Sequence, residues 1–269
     1  MGDALHQVPG EAGDGVALAA SACHPMSLTT AAAARRFVEP ILTVVFPARC
    51  PAYERPLAQP TRGPLCGPCW QAVPRHQTPS CRCGLPMSPG GSRCGRCRRG
   101  RQPLSAGVSL GPYEGPLRVV IHELKYRGRR RVAGRLAGML LEDERVRALV
   151  EGSHVLVPVP LHPRRLRERG FNQAALLAEE LGRRTGRPCG DRALVRRKDT
   201  SPQAGLSAAA RRRNVAEAFA VRRRGLVAGR VVTLVDDVLT TGATAHACAR
   251  MLKEAGAREV RLLSVARVV

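Results

Sequence analysis

The sequence predicts an α/β fold, in which a mostly parallel sheet is flanked by helices, preceded by a cysteine-rich segment. Three observations predict it. Apolar strand-like runs alternate with helix-like runs from Val108 onward, which is typical of parallel sheets. Seven of the ten cysteines lie between Cys50 and Cys97. Near the C-terminus an apolar run ends in two aspartates, and a threonine-rich turn leads from them into an amphipathic stretch.

The part of the chain before the alternating elements divides in two. Residues 1–28 carry acidic and no basic residues, the wrong sign for a targeting segment, so we expect a disordered leader. Residues 29–103 are predicted to hold a helix at 31–47 and then a small ribbon held together by metal. Residues 104–269 are predicted to form the α/β domain. No run reaches 18 apolar residues, so we expect no membrane span and a cytoplasmic protein.

The cysteine spacing predicts a zinc ribbon. Two C-x-x-C pairs flank a C-x-C pair, and two thiolates at such spacing can bind one ion from a tight turn. In a cytosolic protein this pattern favours metal over disulfides, although reduced thiols without metal remain an alternative. Zn²⁺ takes four ligands. One complete site is therefore predicted from Cys81, Cys83, Cys94 and Cys97.

A second, weaker metal site is predicted from the remaining cysteines of the ribbon. It has only three cysteines, and His76 is a candidate for its fourth ligand; the cysteines are Cys50, Cys66 and Cys69. We therefore expect about one zinc ion per chain. We also expect that metal removal loosens residues 50–97 without melting the α/β domain. Three cysteines stand alone and are predicted to be buried structural thiols: Cys23, Cys189 and Cys248.

The α/β elements follow in order. Pro116 is a good first residue for a helix, and apolar residues then recur at helical spacing. The prolines in the strand at 155–159 place it near an edge or end of the sheet. The predicted elements are helices at 117–124 and 132–140, a strand at 155–159, a helix at 174–181, a strand at 231–235, a helix at 245–252 and a strand at 260–265.

The turn between the strand at 231–235 and the following helix predicts a ligand site. Helix starts offer unpaired N–H groups and a positive dipole end, which favour an anion such as phosphate. The glycine lets a ligand approach the backbone, and the threonines add hydroxyl donors. The two aspartates would repel phosphate but can accept hydrogen bonds from a sugar diol. The predicted site residues are Asp236, Asp237, Thr240, Thr241, Gly242, Ala243 and Thr244.

Two further loops would meet this turn at the carboxyl edge of the sheet. Arg164 and Arg165 follow the strand at 155–159, and the guanidinium fork suits a pyrophosphate. Arg197 and Lys198 begin a polar loop that could close over a ligand as a lid. For each of these arginines, ordinary surface charge remains an alternative.

The net charge of +23 is weak evidence for nucleic-acid binding. Only Lys125, Lys198 and Lys253 are lysines, so 41 of the 44 basic residues are arginine, a skew that GC-rich coding would produce. Aromatic residues make up 3% of the chain, too few for a broad base-stacking platform.

The landmarks together resemble the ComF family, whose motifs occur here in the family's order. The motifs are the cysteine turns, Tyr113-x-Gly115, Lys125-Tyr126-x-Gly128, Pro158-Val-Pro160, Arg169-Gly-Phe-Asn-Gln173, Gln203, Arg213-Asn214 and Asp236–Thr244. The chain departs from the family at Tyr53, where the first turn would place a cysteine, and at Cys81-x-Cys83, which is one residue shorter than usual.

The resemblance implies a double zinc ribbon joined to a type I phosphoribosyltransferase fold. It implies structural Zn²⁺ and binding of phosphoribosyl pyrophosphate (PRPP) with Mg²⁺, or of a related nucleotide-like molecule, at residues 236–244. It also implies an association with natural competence, with single-stranded DNA and DNA-processing proteins as partners. Two functions stay open. One is phosphoribosyl transfer to an unidentified acceptor, and the other is non-catalytic handling of single-stranded DNA.

Overall fold

The computed structural model describes residues 48–57, 63–100, 102–126, 130–197 and 218–268. The predicted leader and first helix, and Lys198 with the rest of its loop, lie outside these ranges. The helices are α1 Gly67–Gln71, α2 Gly95–Arg98, α3 Gly115–Tyr126, α4 Arg131–Glu142, α5 Glu144–Glu151, α6 Pro163–Arg169, α7 Gln173–Thr185 and α8 Ala243–Glu254. The strands are β1 Ala106–Pro112, β2 Val155–Pro158, β3 Leu194–Arg196, β4 Phe219–Val221, β5 Val231–Leu239 and β6 Glu259–Arg267.

The main sheet has four parallel strands in the order β1-β6-β5-β2. The predicted parallel sheet is therefore confirmed, and β2 lies at an end of the strand order, as its prolines predict. Strands β3 and β4 form a separate antiparallel pair. Because all four main strands run the same way, their carboxyl ends share one edge of the sheet, and the segments that follow β2 and β5 meet there.

Helices cover both faces of the sheet. Alternate residues of a strand point to opposite faces. Val235 of β5 and Leu263 of β6 pack with α3, α4, α5 and α7. Leu234 and Leu262 pack with α8 and with the β3–β4 pair. The described helices include none that is long and apolar enough to cross a membrane.

The cysteine-rich ribbon lies against β1, the other end of the strand order. The His76 N–H donates to the Leu110 carbonyl of β1 at 2.8 Å. Two glycines of β1 permit this approach. A Cβ atom on Gly111 would lie 2.0 Å from the Pro74 oxygen, and one on Gly107 would lie 2.6 Å from the Gly84 nitrogen.

Ribbon side chains complete both cores of the α/β domain. Cys69 and Trp70 belong to the core on the α3–α7 side, and the Trp70 ring lies under the Arg135 guanidinium of α4 at 4.2 Å. Cys81 and Cys83 belong to the core on the α8 side. This shared packing argues against the expectation that metal removal would loosen the ribbon alone.

The segment after β2, predicted as a loop, contains the short helix α6. Pro163 occupies its first turn, the His162 side chain accepts a hydrogen bond from the Arg164 N–H, and Gly170 ends it with φ of 72°. Helix α6 has seven residues and none of them is buried. It therefore lacks the apolar periodicity by which a helix is recognised in a sequence.

Candidate ligand site and metal clusters

The turn after β5 is open to solvent and leads directly into α8. Thr240 and Thr241 are exposed, whereas Gly242 is buried with φ of 72°, a conformation that favours glycine. The N–H groups of the first turn of α8 have no partner within the helix. One of them, on Ala243, makes a long contact of 3.4 Å with the Thr241 hydroxyl. The turn therefore offers N–H groups, hydroxyls and a positive dipole end to an anion.

The two aspartates before this turn have different surroundings. Asp237 is 4% exposed, and its Oδ2 lies 2.5 Å from the Lys125 Nζ at the end of α3. The Gln173 side chain at the start of α7 donates to its Oδ1 at 3.4 Å. Asp236 is half-buried, and its Oδ1 accepts a hydrogen bond from the Asp237 N–H at 2.9 Å. Lys125 thus already neutralises the carboxylate of Asp237. From the sequence, both aspartates were expected to play the same part and accept hydrogen bonds from a sugar diol.

Asp236 is held in surroundings that disfavour its charge. Burial raises its pKa well above the ordinary value, and the adjacent charge of Asp237 raises it further. The Lys125 ammonium opposes this rise only in part. A ligand that places a cation or a hydrogen-bond donor beside Asp236 would therefore supply the compensation that the protein itself lacks.

A basic pocket is connected to Asp237 through Lys125. It has a volume of about 390 Å³ and is lined by Lys125, Tyr126, Arg165, Glu168, Arg169 and Phe171. Lys125 contributes both to this pocket and to the ion pair with Asp237. The predicted residue Arg165 thus lines the same pocket as Lys125, the ion-pair partner of Asp237. Arg164 is not among its lining residues, and its Nε lies 3.0 Å from Glu168 on the exposed side of α6.

The contacts that Lys125 and Gln173 make with Asp237 were not predicted from the sequence. Both belong to recognisable motifs, but a lysine in the last turn of a helix is equally explained by the helix dipole. Their neighbours fix the geometry. Asn172 caps α7 by accepting from the Ala174 N–H, and its Nδ2 donates to the Val159 carbonyl after β2. This cap places Gln173 beside Asp237.

The predicted lid residues are only partly described. The Arg197 N–H donates to the Ala218 carbonyl at 2.7 Å. Arg197 and Ala218 therefore lie side by side at one end of the β3–β4 pair. Lys198 lies outside the described residues, so the lid assignment stays a prediction.

Four ribbon cysteines form the predicted complete metal site. The Sγ atoms of Cys81, Cys83, Cys94 and Cys97 lie within 4.8 Å of one another. Four thiolates around a tetrahedral Zn²⁺ with bonds of about 2.3 Å would be about 3.8 Å apart. The Cys83 and Cys94 sulfurs are 3.9 Å apart. Burial opposes ionisation of Cys81, but N–H groups of Cys83 and Cys94 lower its pKa to about 7. The donor set and its spacing fit structural zinc.

The second cluster contains three cysteines. The Sγ atoms of Cys50 and Cys66 lie 3.5 Å and 3.2 Å from that of Cys69. Among the described residues, His76 is not part of this cluster. Of the isolated cysteines, Cys248 is buried as predicted, Cys189 is partly exposed, and Cys23 is outside the described ranges.

The complete cluster touches the ligand turn. Arg96, between two of the cysteine ligands, donates from Nη1 to the Thr241 carbonyl at 2.6 Å. The Cys83 carbonyl of the cluster also accepts a hydrogen bond from Arg267 Nη1 at 2.7 Å. Arg267 is the last residue of β6 and pairs with Leu239, which immediately precedes the turn. The ribbon is therefore part of the wall of the candidate site.

Comparison with known proteins identifies both regions. Residues 41–98 match the double zinc ribbon domain, and residues 167–268 match the phosphoribosyl transferase domain. The DNA utilization protein YhgH of Salmonella typhimurium is 34% identical over 232 residues, 85% of this chain and 100% of that protein. Competence protein F of Haemophilus influenzae is 31% identical over 208 residues, 76% of this chain and 90% of that protein. The chain belongs to the ComF family.

The sheet and the matched domain give this ComF protein a type I phosphoribosyltransferase fold. Among solved structures, the glutamine PRPP amidotransferase of Bacillus subtilis is 23% identical, with a TM-score of 0.30. That likeness covers 44% of this chain and 26% of the amidotransferase, so it adds nothing to the assignment of the site. Lys125 lies between the two matched regions, yet its side chain reaches Asp237 in the second of them.

Proposed function

We propose that this ComF protein binds PRPP or a closely related ribose phosphate at the turn after β5. One observation carries the proposal: half-buried Asp236 lies near the end of β5, four residues before an exposed threonine turn that leads into the first turn of α8. The 5-phosphate would lie on residues 240–244, and a ribose hydroxyl would donate to Asp236. Asp237 would share its carboxylate between Lys125 and the second hydroxyl.

The basic pocket would hold the pyrophosphate end of the ligand. The pocket has an excess of positive charge, because it is lined by one acid, Glu168, and by three cations, Lys125, Arg165 and Arg169. Mg²⁺ accompanying the ligand would supply the remaining positive charge that the phosphates need. We assign Arg165 rather than Arg164 to this role, because Arg164 is paired with Glu168 on an exposed surface.

Phosphoribosyl transfer is the reaction that such a site would support. The C1–O bond to pyrophosphate would break, and C1 would bond to an acceptor. The transition state has oxocarbenium character, so the protein supplies positioning and charge stabilisation rather than a nucleophile. The chemical class of the acceptor stays open.

The test is a calorimetric titration of the zinc-loaded protein with PRPP and Mg²⁺. We expect saturable binding that Asp236→Asn weakens by at least tenfold, since it removes a charged acceptor. The matched control is Asp191→Asn, which changes a half-exposed acid beside Arg192 and should bind like the parent. Absence of binding by the parent protein would reject the proposal.

A second candidate function is the handling of single-stranded DNA, and a different groove favours it. This groove has a volume of about 870 Å³, lies at the amino ends of β1 and β6, and includes Arg82, Arg93, Arg145 and Arg261. Two of these arginines are paired, with Asp143 and Glu259. The names of the relatives, a DNA utilization protein and a competence protein, agree with such a role. DNA-processing proteins would then be partners, and the metal-binding thiols suit a cytoplasmic location.

Salt dependence tests the DNA function. Each phosphate contact on a single strand contributes about 0.7 to the slope of log affinity against log salt. The double change Arg82→Ala and Arg93→Ala should lower that slope by about 1.4. An unchanged slope would place the DNA contact elsewhere, and no measurable binding of DNA at low salt would reject this second function.

A further inference from the structure

We propose that the Cys50–Cys66–Cys69 cluster is a metal site with three protein thiolates and an open fourth position that takes a small ligand from solution. Nothing in this proposal depends on PRPP binding. The position left open is the one that Tyr53 would have filled as a cysteine.

Three turns of the ribbon share one hydrogen-bond pattern. In each, the N–H four residues after a cysteine donates to that cysteine's carbonyl. The pairs are Trp70 to Cys66 at 3.1 Å, Arg98 to Cys94 at 3.0 Å and Glu54 to Cys50 at 2.7 Å. In the first two turns, the residue three positions after the cysteine is a second cysteine, Cys69 or Cys97. At Cys50 the equivalent residue is Tyr53, whose side chain is 62% exposed. This turn therefore has the backbone pattern that presents a second cysteine in the other two turns, but it carries Tyr53 at that position.

The three remaining thiols are still placed for a metal ion. Their Sγ atoms lie within 4.8 Å of one another, and the two closest separations are 3.2 Å and 3.5 Å. Zinc–thiolate bonds of about 2.3 Å place tetrahedral sulfurs about 3.8 Å apart, so a small expansion would admit the ion. Cys50 and Cys69 are buried, while Cys66 is partly exposed. One side of the cluster is therefore accessible to solutes.

The chain offers few alternatives for the fourth ligand. Among the described residues, His76 is excluded from the cluster. Residues 58–62 contain no cysteine, histidine or acidic residue. The segment before residue 48 holds the other candidates, which are Asp3, His6, Glu11, Asp14, Cys23, His24 and Glu39; the adjacent pair Cys23 and His24 is the first that an experiment must remove.

The chemistry of such a site differs from that of the complete cluster. Zinc sites that keep three protein ligands bind water or an external ligand in the fourth position, whereas structural sites are closed by four. In simple buffer the fourth ligand would be water, which imidazole or a small thiol would displace. An ion with three protein ligands should also be lost to a chelator before the ion held by four thiolates.

Cobalt substitution tests the proposal. The protein is loaded with two Co²⁺ ions per chain and titrated with imidazole while its visible bands are recorded. We expect a saturable spectral change from one of the two ions. Tyr53→Cys should abolish the imidazole response and slow the loss of the second ion to a chelator. Tyr53→Phe, the matched control, should keep the response. The complete cluster serves as an internal reference in every sample.

Three outcomes would overturn the proposal. Binding of only one ion per chain by the parent and by Tyr53→Cys would show that the cluster holds no metal. Two ions without any response to imidazole would show a closed site. A response gained only in the double variant Cys23→Ser and His24→Ala would show that the N-terminal segment supplies the fourth ligand.

Discussion

Asp236 and Asp237 are adjacent in sequence but stand in opposite electrostatic surroundings. Asp237 has Lys125 as a counter-ion at 2.5 Å, and both side chains are largely buried. Asp236 faces desolvation and the charge of its neighbour, which together raise its pKa. A carboxylate whose charge is disfavoured in the free protein, at a candidate ligand site, is typical of a group that a bound ligand stabilises.

Asparagine substitutions should therefore have opposite effects on stability. Asp236→Asn should raise the free energy of unfolding of the ligand-free protein by about 0.5–2 kcal/mol, because a disfavoured charge is removed. Asp237→Asn should lower it by about 1–3 kcal/mol, because Lys125 loses its buried partner. Urea unfolding at neutral pH measures both. Destabilisation of similar size in the two variants would contradict this assignment.

The pH dependence of stability follows from the same carboxylate. Its pKa is raised above the ordinary aspartate value of about 4 by burial, and next by the charge of Asp237. As pH rises between the ordinary and the raised value, the unfolded chain loses this proton before the folded chain does. The folded state then binds more protons, so the free energy of unfolding falls across that window.

Asp236→Asn should remove this fall. Urea unfolding over a pH series should give a smaller downward slope for Asp236→Asn than for the parent, while the control Asp191→Asn keeps the parent's slope. Equal slopes in the parent and Asp236→Asn would show that Asp236 titrates normally.

At the scale of elements, the ribbon turn at α2 is joined to the ligand turn before α8. The only covalent link between Cys94 and Thr241 runs through most of the α/β domain, yet Arg96 donates to the Thr241 carbonyl at 2.6 Å. This contact would hold the turn in one conformation before a ligand arrives. Preorganisation of that kind increases affinity by lowering the entropy lost on binding.

Arg96→Ala should accordingly weaken PRPP binding. A net hydrogen bond contributes about 0.5–1.5 kcal/mol, so we expect a loss of about two- to tenfold in affinity. The matched control is Arg98→Ala, which removes another exposed arginine of α2, two residues further along. Zinc content should be unchanged in both variants. Equal affinities of Arg96→Ala and the parent would show that the contact does not position the turn.

The sequence predicts some elements better than others, for reasons visible in particular residues. Strand β5 and helix α8 were predictable because a buried apolar run and a helical apolar stripe lie close together in the sequence, but β5 continues beyond the predicted 231–235, through both aspartates to Leu239. Helix α6 was not, since none of its side chains is buried. The ion pair between Lys125 and Asp237 joins residues 112 positions apart in sequence, and no local pattern encodes such a contact.

At the scale of the whole molecule, the ribbon and the α/β domain share their cores. The composition of the sequence indicated two regions. It gave no sign that the ribbon backbone passes within contact distance of Gly107 and Gly111, which leaves room only for glycine at these positions. Arg145 of α5 reinforces the docking by donating to the carbonyls of His76 and Thr78. Such tertiary contacts leave no periodic trace in the sequence.

Removal of metal should therefore destabilise the whole molecule. When a strong chelator takes the ion from the complete cluster, Cys81, Cys83 and Cys97 lose the restraint that keeps them in the core beside α8. We expect the melting temperature of the α/β secondary structure, followed by circular dichroism, to fall as zinc is lost. An unchanged melting temperature after complete zinc removal would show that the ribbon is energetically independent.

Hydrogen–deuterium exchange of the zinc-loaded protein, with and without PRPP and Mg²⁺, tests the central assignment most directly. We expect slower exchange in two segments when ligand is present: residues 236–244, which would enclose the ribose phosphate, and residues 165–169, which contribute to the lining of the basic pocket. Unchanged exchange in both segments at saturating ligand, or protection confined to residues 79–93 at the opposite edge of the sheet, would contradict it.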